Sequence, residues 1–600
     1  MTRLPVAVFA TLVAATVGAF FVTQHLKVKN PLINGSPRPD PPAINPVAGR
    51  VCRDLVGRRV SFKRTKLNFF LQSRSDNVGV YVVDSDGDIV DAIGSRYMLV
   101  NRRYTFTWNG HETDGQVAPD GTYYFRIALQ AENRTFELTD QPVRVITTLP
   151  RPDVERVSPD VVGPPGHPVT IRYRPGRFHN ADIVIYRTDV RGKPVKVKAI
   201  GINGRRGTAV WDGLIRGRPA PAGTYLVGLD VTDQACNPGR FPVVLPPPAG
   251  STPHAGVTVR YLAAQPPLAP VTAGAEASVL VDSRRRPYTW KLFRAGAPKV
   301  LARGRSIQGA YTLHVRIPAN GAGLYALSLR SGSHRTVVPI AAAAGGRRAA
   351  ARVLVVLPAL TWQGANPVDD LGDGLPDTLS AGDQIRLARP LADGLPPGFD
   401  EELALLTYLD RHRIAYQLTT DVALAEGAGP ALSGHTGVVL DGSLVWLPSN
   451  LGAPLRAFAQ DGGTVLSLGT GSLQAQARLS PSAAGPTAGP PRPLVPDPFG
   501  ARHGSLLKTA GALITVLGDR LGLFGATIAF PGYFAAQTIS PPNGAPASLA
   551  GIGAGAPSIT AFRLGRGTVV EVGLQGFASG LAHNVDAQEL LRAVWRRLVR

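Results

Sequence analysis

The chain has 600 residues, too many for one hydrophobic core, and its 67 Gly, 53 Pro and 18 % charged residues describe several turn-rich globular domains, not an outright disordered chain. The formal charge of +22 is uneven: residues 1–350 hold 47 Lys and Arg against 23 Asp and Glu, whereas residues 351–600 hold 17 against 19. A basic half suits an anionic polymer or a cell-envelope protein as partner; Arg outnumbers Lys 54 to 10, a bias a GC-rich genome also produces, and no nucleic-acid module accompanies the charge, so nucleic acid is excluded from the expected partners.

Residues 4–26, LPVAVFATLVAATVGAFFVTQHL, contain no Lys, Arg, Asp or Glu. At ~1.5 Å per helical residue such a run crosses a ~30 Å hydrocarbon core. Phe20-Phe21-Val22 continues it past the small residues Val17-Gly18-Ala19, which disfavours a cleaved signal peptide. The expectation is a transmembrane anchor over 1–26, contact with the membrane through 4–26, and a single-pass protein of the cell membrane with its bulk extracytoplasmic. The Pro-rich residues 27–50 read as a stiff linker. The two cysteines, Cys52 and Cys236, are what an exported chain with one disulfide would carry.

Alternating runs follow: NVGVYVVDSDGDIVDAI, TYYFRIALQ, VTIRYR, ADIVIYRT and TYLVGLDVTD. Short strands punctuated by Gly and Pro predict β-sandwiches, placed at 51–148, 149–248 and 255–342. The first two contain a repeat. Trp108, Gly110, Gly115, Pro119 and Gly121-Thr122-Tyr123 match Trp211, Gly213, Gly217, Pro221 and Gly223-Thr224-Tyr225. A Trp ending one strand plugs the open end of the sandwich, the glycines turn the chain, and the Tyr packs inward from the next strand; a carbohydrate platform is the functional alternative. Together with Asp84, Gly87 and Val90, these residues resemble the FlgD-type Ig-like domain of flagellar hook-capping proteins. That resemblance implies a structural module and says nothing of motility. In the third segment GAGLYALSL echoes the Gly-Thr-Tyr turn without the Trp-x-Gly.

Residues 341–352 read as a hinge. Beyond it RVLVVLPAL is a run buried on both faces, and FDEELALLTYLDRH and DAQELLRAVWRRLV have helical spacing. Residues 351–600 are therefore predicted as an α/β domain with a mainly parallel sheet, interrupted by a disordered loop over 474–504. The whole chain is expected to be a multidomain β plus α/β protein with an N-terminal transmembrane helix. No Cys lies beyond 236, and G-x-S-x-G, H-E-x-x-H and Walker A motifs are missing. GIGAGA (551–556) reads as a flexible turn, and His435 as a loop residue without an acid partner. In NPVDDLGDGLPD, Asp369, Asp373, Asp377 and the carbonyl of Leu375 have calcium-loop spacing, although Leu371 sits where an oxygen is wanted and no Glu closes the loop.

Thr361-Trp362, Asn366, Asp421, Gly442, Trp446 and Gly462-Gly463 resemble the C-terminal domain of the N,N-dimethylformamidase large subunit. The resemblance implies an iron centre held by two Tyr and one Glu. Tyr325 would match one Tyr, Ala365 stands in the place of the other, and Leu444-Val445 replace the segment with the Glu. No catalytic residue is therefore assigned and no cofactor beyond calcium is expected. The expected function is an anchored scaffold or binding protein with a degenerate amidase-like head; the alternative is a hydrolase of amides or envelope polymers.

Overall fold

In the computed structural model, residues 8–19, 32–34, 37–53, 57–163, 167–319, 322–345, 351–483, 485–508, 510–511, 513–553 and 556–600 are described. Three β-sandwiches precede a larger head, and strand far outweighs helix.

The sandwiches share one topology. In the second, Val154–Ser158, Val169–Tyr173 and Thr208–Trp211 form one sheet, opposite Val161–Val162, Gly256–Val259, Gly223–Thr232, Asn180–Arg187 and Val195–Gly201. The same order recurs in the first and third domains, and in the first two a sixth strand, Arg134–Glu137 or Pro238–Phe241, pairs with part of Gly121–Leu129 or Gly223–Thr232. The repeated Trp and Tyr explain the motif. The Trp108 and Tyr123 rings lie 5.1 Å apart and the Trp211 and Tyr225 rings 5.6 Å apart, both tilted. Each indole N–H donates to a carbonyl three residues on, His111 or Leu214, and each phenol donates to the carbonyl of Pro119 or Pro221 at 2.8 Å. The polar ends of both rings are thus satisfied inside the core, which is why they can be buried.

Four sequence expectations are corrected here. Residues 39–44 are not linker: Pro39–Asp40 and Ala43–Ile44 are strands of the first sandwich. Gly256–Val259 pairs with Gly223–Thr232, so the second sandwich extends past 248 and the third begins after 260–262. The 474–504 segment carries the strands Ala475–Ala477, Leu479–Ser480, Thr487–Ala488 and Arg492–Pro493. The anchor is overturned as well: among the described residues no helix is long and apolar enough to cross a membrane, against the single-pass, extracytoplasmic placement. Of that segment 8–19 is helical, while 4–7 and 20–26 lie outside the described residues. Parts of the hinge (346–350) and of GIGAGA (554–555) also lie outside them.

The head departs from the expected mainly parallel α/β domain. Its nine-stranded sheet is mixed and runs Gln417–Thr420, Val353–Leu357, Gly437–Leu440, Thr464–Leu468, Gly567–Val572, Pro557–Leu564, Ala547–Gly551, Ile514–Asp519, Ala529–Phe530. The first five are parallel and the rest antiparallel. Leu564 pairs with Gly567, leaving two residues to turn the chain, and so short a loop can only join antiparallel strands. Val355 and Val570 face one apolar core, and Val356 and Val569 the other, so the sheet is covered on both sides.

Candidate functional site

The parallel strands create one topological switch point. The chain leaves Val353–Leu357 for Gln417–Thr420 on one side, then returns to Gly437–Leu440 on the other, so connections diverge between the carboxyl ends of 357 and 440. In open sheets with parallel strands that point is the usual ligand position. Asp441 ends its strand there with no exposure, and neither of its carboxylate oxygens has a hydrogen-bond partner. Glu402, on the helix Phe399–Arg411, is 2 % exposed and its Oε2 is also unpartnered. A Cβ at Gly442 would collide with the Glu402 carboxyl, so this approach needs glycine. Burial pushes Glu402 up to about 8, while the nearby Trp362 indole holds the rise back. Burial, then the Glu402 charge, raises Asp441 well above the carboxylate range. Two acids with no cation between them can hold a proton at neutral pH.

Asp421 has a different task. Its Oδ1 accepts the N–H groups of Leu360 at 3.0 Å and Val422 at 2.8 Å, tying the helix Ala359–Gly364 to the adjacent strand end. Burial still raises it to about 7. Thr361 Oγ1 accepts from Val445 N–H at 3.0 Å, and Asn366 Nδ2 donates to Pro390 O at 2.8 Å while its Oδ1 accepts from Ala392 N–H at 2.9 Å. The motif residues of the head thus pin connecting segments in place.

The positions called on for iron do not make a donor set. Tyr325 lies in the third sandwich, on Gly323–Ser331, the counterpart of the strand carrying Tyr225, and is buried in that core. Arg294 sits over its ring, 5.2 Å from the centroid, and pairs with Asp410 at 2.6 Å. A guanidinium therefore occupies the cation's place beside this phenol. Ala365 and Val445 pack on one apolar core and Leu444 in the other. Three alkyl groups offer iron no ligand.

The calcium-loop residues come together in one turn, and their carboxylates are spent on backbone. Asp369 accepts from Gly372, Asp373 and Gly374 N–H groups, Asp373 from Gly250 and Leu375, and Asp377 from Asp370 and Leu371. Leu375 is half-buried. Burial lifts Asp369 to about 7 and Asp377 to about 6. The turn docks the head on the second sandwich, where Thr188 Oγ1 donates to Gly374 O at 2.7 Å and Thr252 Oγ1 to Asp373 O at 2.8 Å. Cys52 and Cys236 are joined as a disulfide, with Cα atoms 6.6 Å apart. The His435 ring nitrogens are buried without partners, so His435 is not a solvent-facing loop residue.

Sequence reasoning missed Glu402 and Asp441. FDEEL offers three acids in one helical turn, and only packing selects Glu402; Asp441 ends an apolar strand, the one available signal.

Residues 57–133 match the family model of the FlgD Ig-like domain, and residues 302–489 that of the N,N-dimethylformamidase beta subunit-like C-terminal domain. Basal-body rod modification protein FlgD of Salmonella typhimurium is 35 % identical over 74 residues, 12 % of this chain, and that of Escherichia coli (strain K12) 34 % over 74. The chain spans 31 % of the length of these relatives. Among solved structures, a cold-adapted β-galactosidase from Rahnella sp. R3 aligns with a TM-score of 0.25 at 16 % identity, covering 42 % of this chain and 32 % of that one. The I9–I11 tandem from titin aligns with a TM-score of 0.21 at 9 % identity, covering 52 % and 99 %. Scores this low carry no further argument. The chain is a multidomain protein that joins an FlgD Ig-like domain to an N,N-dimethylformamidase beta subunit-like C-terminal domain.

Proposed function

We propose that this chain is a non-catalytic binding scaffold whose third sandwich takes an acidic linear polymer across its outer face. One observation carries the reading. In the five-stranded sheet of that domain, Lys291 lies directly opposite Arg303, and Arg330 opposite Arg335. Thr289 lies opposite both Arg305 and Arg330, which brings Arg305 to the same face. All five cations are exposed, and none makes an ion pair among the described residues. Like charges directly opposite destabilise a sheet. Like charges also meet in the second sandwich, Arg156 opposite Arg172 and Asp182 opposite Asp230, but there Asp230 is paired with Arg240 opposite it, as Arg126 is with Glu137 in the first. A face that keeps repelling pairs gains when a polyanion covers it.

The head supports the non-catalytic half of the reading, because Ala365, Leu444 and Val445 supply no metal ligand. The test is binding of the full chain to heparin and to polyphosphate as a function of salt. The triple variant K291S/R303S/R305S weakens both by about tenfold or more and flattens the salt dependence. The control R205S/R206S, which removes exposed charge from the second sandwich, leaves binding nearly unchanged. Equal weakening in both variants overturns the site. The Glu402–Asp441 pair favours a second reading, hydrolysis by a buried acid; amide turnover lost in Asp441→Asn would establish it.

A further inference from the structure

Asp497, His503 and Glu571 meet on the far side of the head sheet, beyond the segment matched by either family model. They come from separate places: a turn after Arg492–Pro493, the strand Arg502–Lys508, and the carboxyl end of the central strand Gly567–Val572. His503 Nε2 lies 3.1 Å from Asp497 Oδ2 and 3.2 Å from Glu571 Oε2. One ligand atom from each of the three lies within 4.8 Å of the others. The side chains are 0 %, 6 % and 1 % exposed for Asp497, His503 and Glu571.

Two features leave room for a fourth participant. Apart from His503 Nε2, 3.2 Å from its Oε2, Glu571 has no hydrogen-bond donor, and His503 Nδ1 is buried without a partner, so whatever sits at Nε2 orients the ring. Asp497 Oδ1 is occupied by the N–H groups of Phe499 and Ala501, which leaves Oδ2 aimed at the cluster. With both acids ionised and an imidazolium between them, the buried group keeps one uncompensated negative charge, which is costly in a protein interior. A divalent ion with a neutral imidazole brings the total to zero.

We infer that Asp497, His503 and Glu571 form a mononuclear site for a divalent first-row transition ion of the zinc class. The two separations from His503 Nε2 agree: two bonds of ~2.1 Å in tetrahedral or octahedral arrangement hold their ligand atoms ~3.0–3.4 Å apart. An imidazole with two carboxylates selects such an ion over calcium or magnesium, which prefer oxygen alone. With so little exposure the ion clips the 494–501 turn to the central strand.

The experiment uses the full chain, stripped with chelator, dialysed and titrated with Zn2+ by calorimetry, with Co2+ as a spectroscopic probe. One equivalent binds, Co2+ develops visible absorption, and the melting temperature rises. Glu571→Gln and His503→Gln weaken binding by at least about 100-fold. If these variants unfold, the wild-type stoichiometry and melting shift decide. No uptake by folded wild-type protein overturns the site and leaves a protonated His503 between two carboxyls. Uptake that leaves the melting temperature unchanged, or that persists in both variants, assigns the metal to surface histidines and also overturns it.

Discussion

At the scale of single residues the head is governed by acids that burial keeps from ionising. Glu402 moves from 4.5 in the unfolded chain to about 8 in the fold. Below the lower value both states carry the proton and the group has no effect on stability. Between the two values the unfolded chain loses the proton and the folded chain keeps it, so stability falls as pH rises. Glu402→Gln removes this term. The variant should lose less stability than the parent between pH 5 and pH 8, by on the order of 2 kcal/mol, in urea titrations at each pH. Equal slopes for the two proteins would rule out Glu402 as the source. Nothing in FDEEL marks this residue: Glu401, its neighbour, accepts from Ser579 Oγ at 2.8 Å, and one step along the helix separates the two fates. The cluster at Asp497, His503 and Glu571 was equally hidden, because its members are distant in the chain and fit no ligand-spacing motif.

At the scale of elements, the connection between 365 and 392 is stapled from within by one buried cation, beside the carboxylates that hold its turn. Arg389, 2 % exposed, donates to the carbonyls of Gln363, Asn366 and Asp377 at 2.6, 3.0 and 3.1 Å and pairs with Asp370 at 2.7 Å. Arg389→Met strands those carbonyls and half of the Asp370 pairing. It should cost about 3–5 kcal/mol, read as a lower urea midpoint for the head transition. Such a staple is illegible in sequence, since one Arg among 54 carries no mark of burial. The Trp and Tyr device is the opposite case. Its aromatic and turn residues recur at fixed spacing, so the repeat alone located two cores. It also explains Tyr325, which looked like a relic of a metal site and is the core tyrosine of a third sandwich that has lost its Trp. The antiparallel half of the head sheet escaped notice although Leu564-Gly565-Arg566-Gly567 is a plain hairpin turn, because the parallel sheet was inferred from the runs before residue 474 and no strands were assigned on either side of that turn.

At the scale of the whole molecule the domains are closely joined. Asn45 Nδ2 donates to Asn237 Oδ1 at 2.7 Å across the first junction, the one the Cys52–Cys236 bond also spans. Between the second and third sandwiches only 260–262 intervene, and Tyr261 stacks on His334 with centroids 4.2 Å apart. The disulfide closes a separation of 184 residues, so replacing both cysteines with serine should lower the stability of the first two sandwiches by up to about 5 kcal/mol. Thermal unfolding of the double variant against the oxidised parent tests this, and peptide mapping that finds both thiols free in the parent would count against it. The domain count and the sandwich class were legible because turn residues and strand alternation are local signals. The boundaries were not, because Ala43–Ile44 and Gly256–Val259 earn their places by pairing with strands about a hundred and about thirty residues away, respectively.

In every sandwich the short opening strand of the larger sheet lies parallel to the closing one: Ala43–Ile44 beside Val143–Val145, Val161–Val162 beside Gly256–Val259, Val271–Thr272 beside His334–Ala343. Parallel pairing sends the chain in at one pole of each domain and out at the other. Tension applied along the chain would then pull Val271–Thr272 and His334–Ala343 past each other lengthwise, loading their hydrogen bonds together instead of peeling them one by one. In the first two sandwiches the Cys52–Cys236 bond carries the load past residues 53–235, which include Val143–Val145 and Val161–Val162, so those strand pairs are shielded from it.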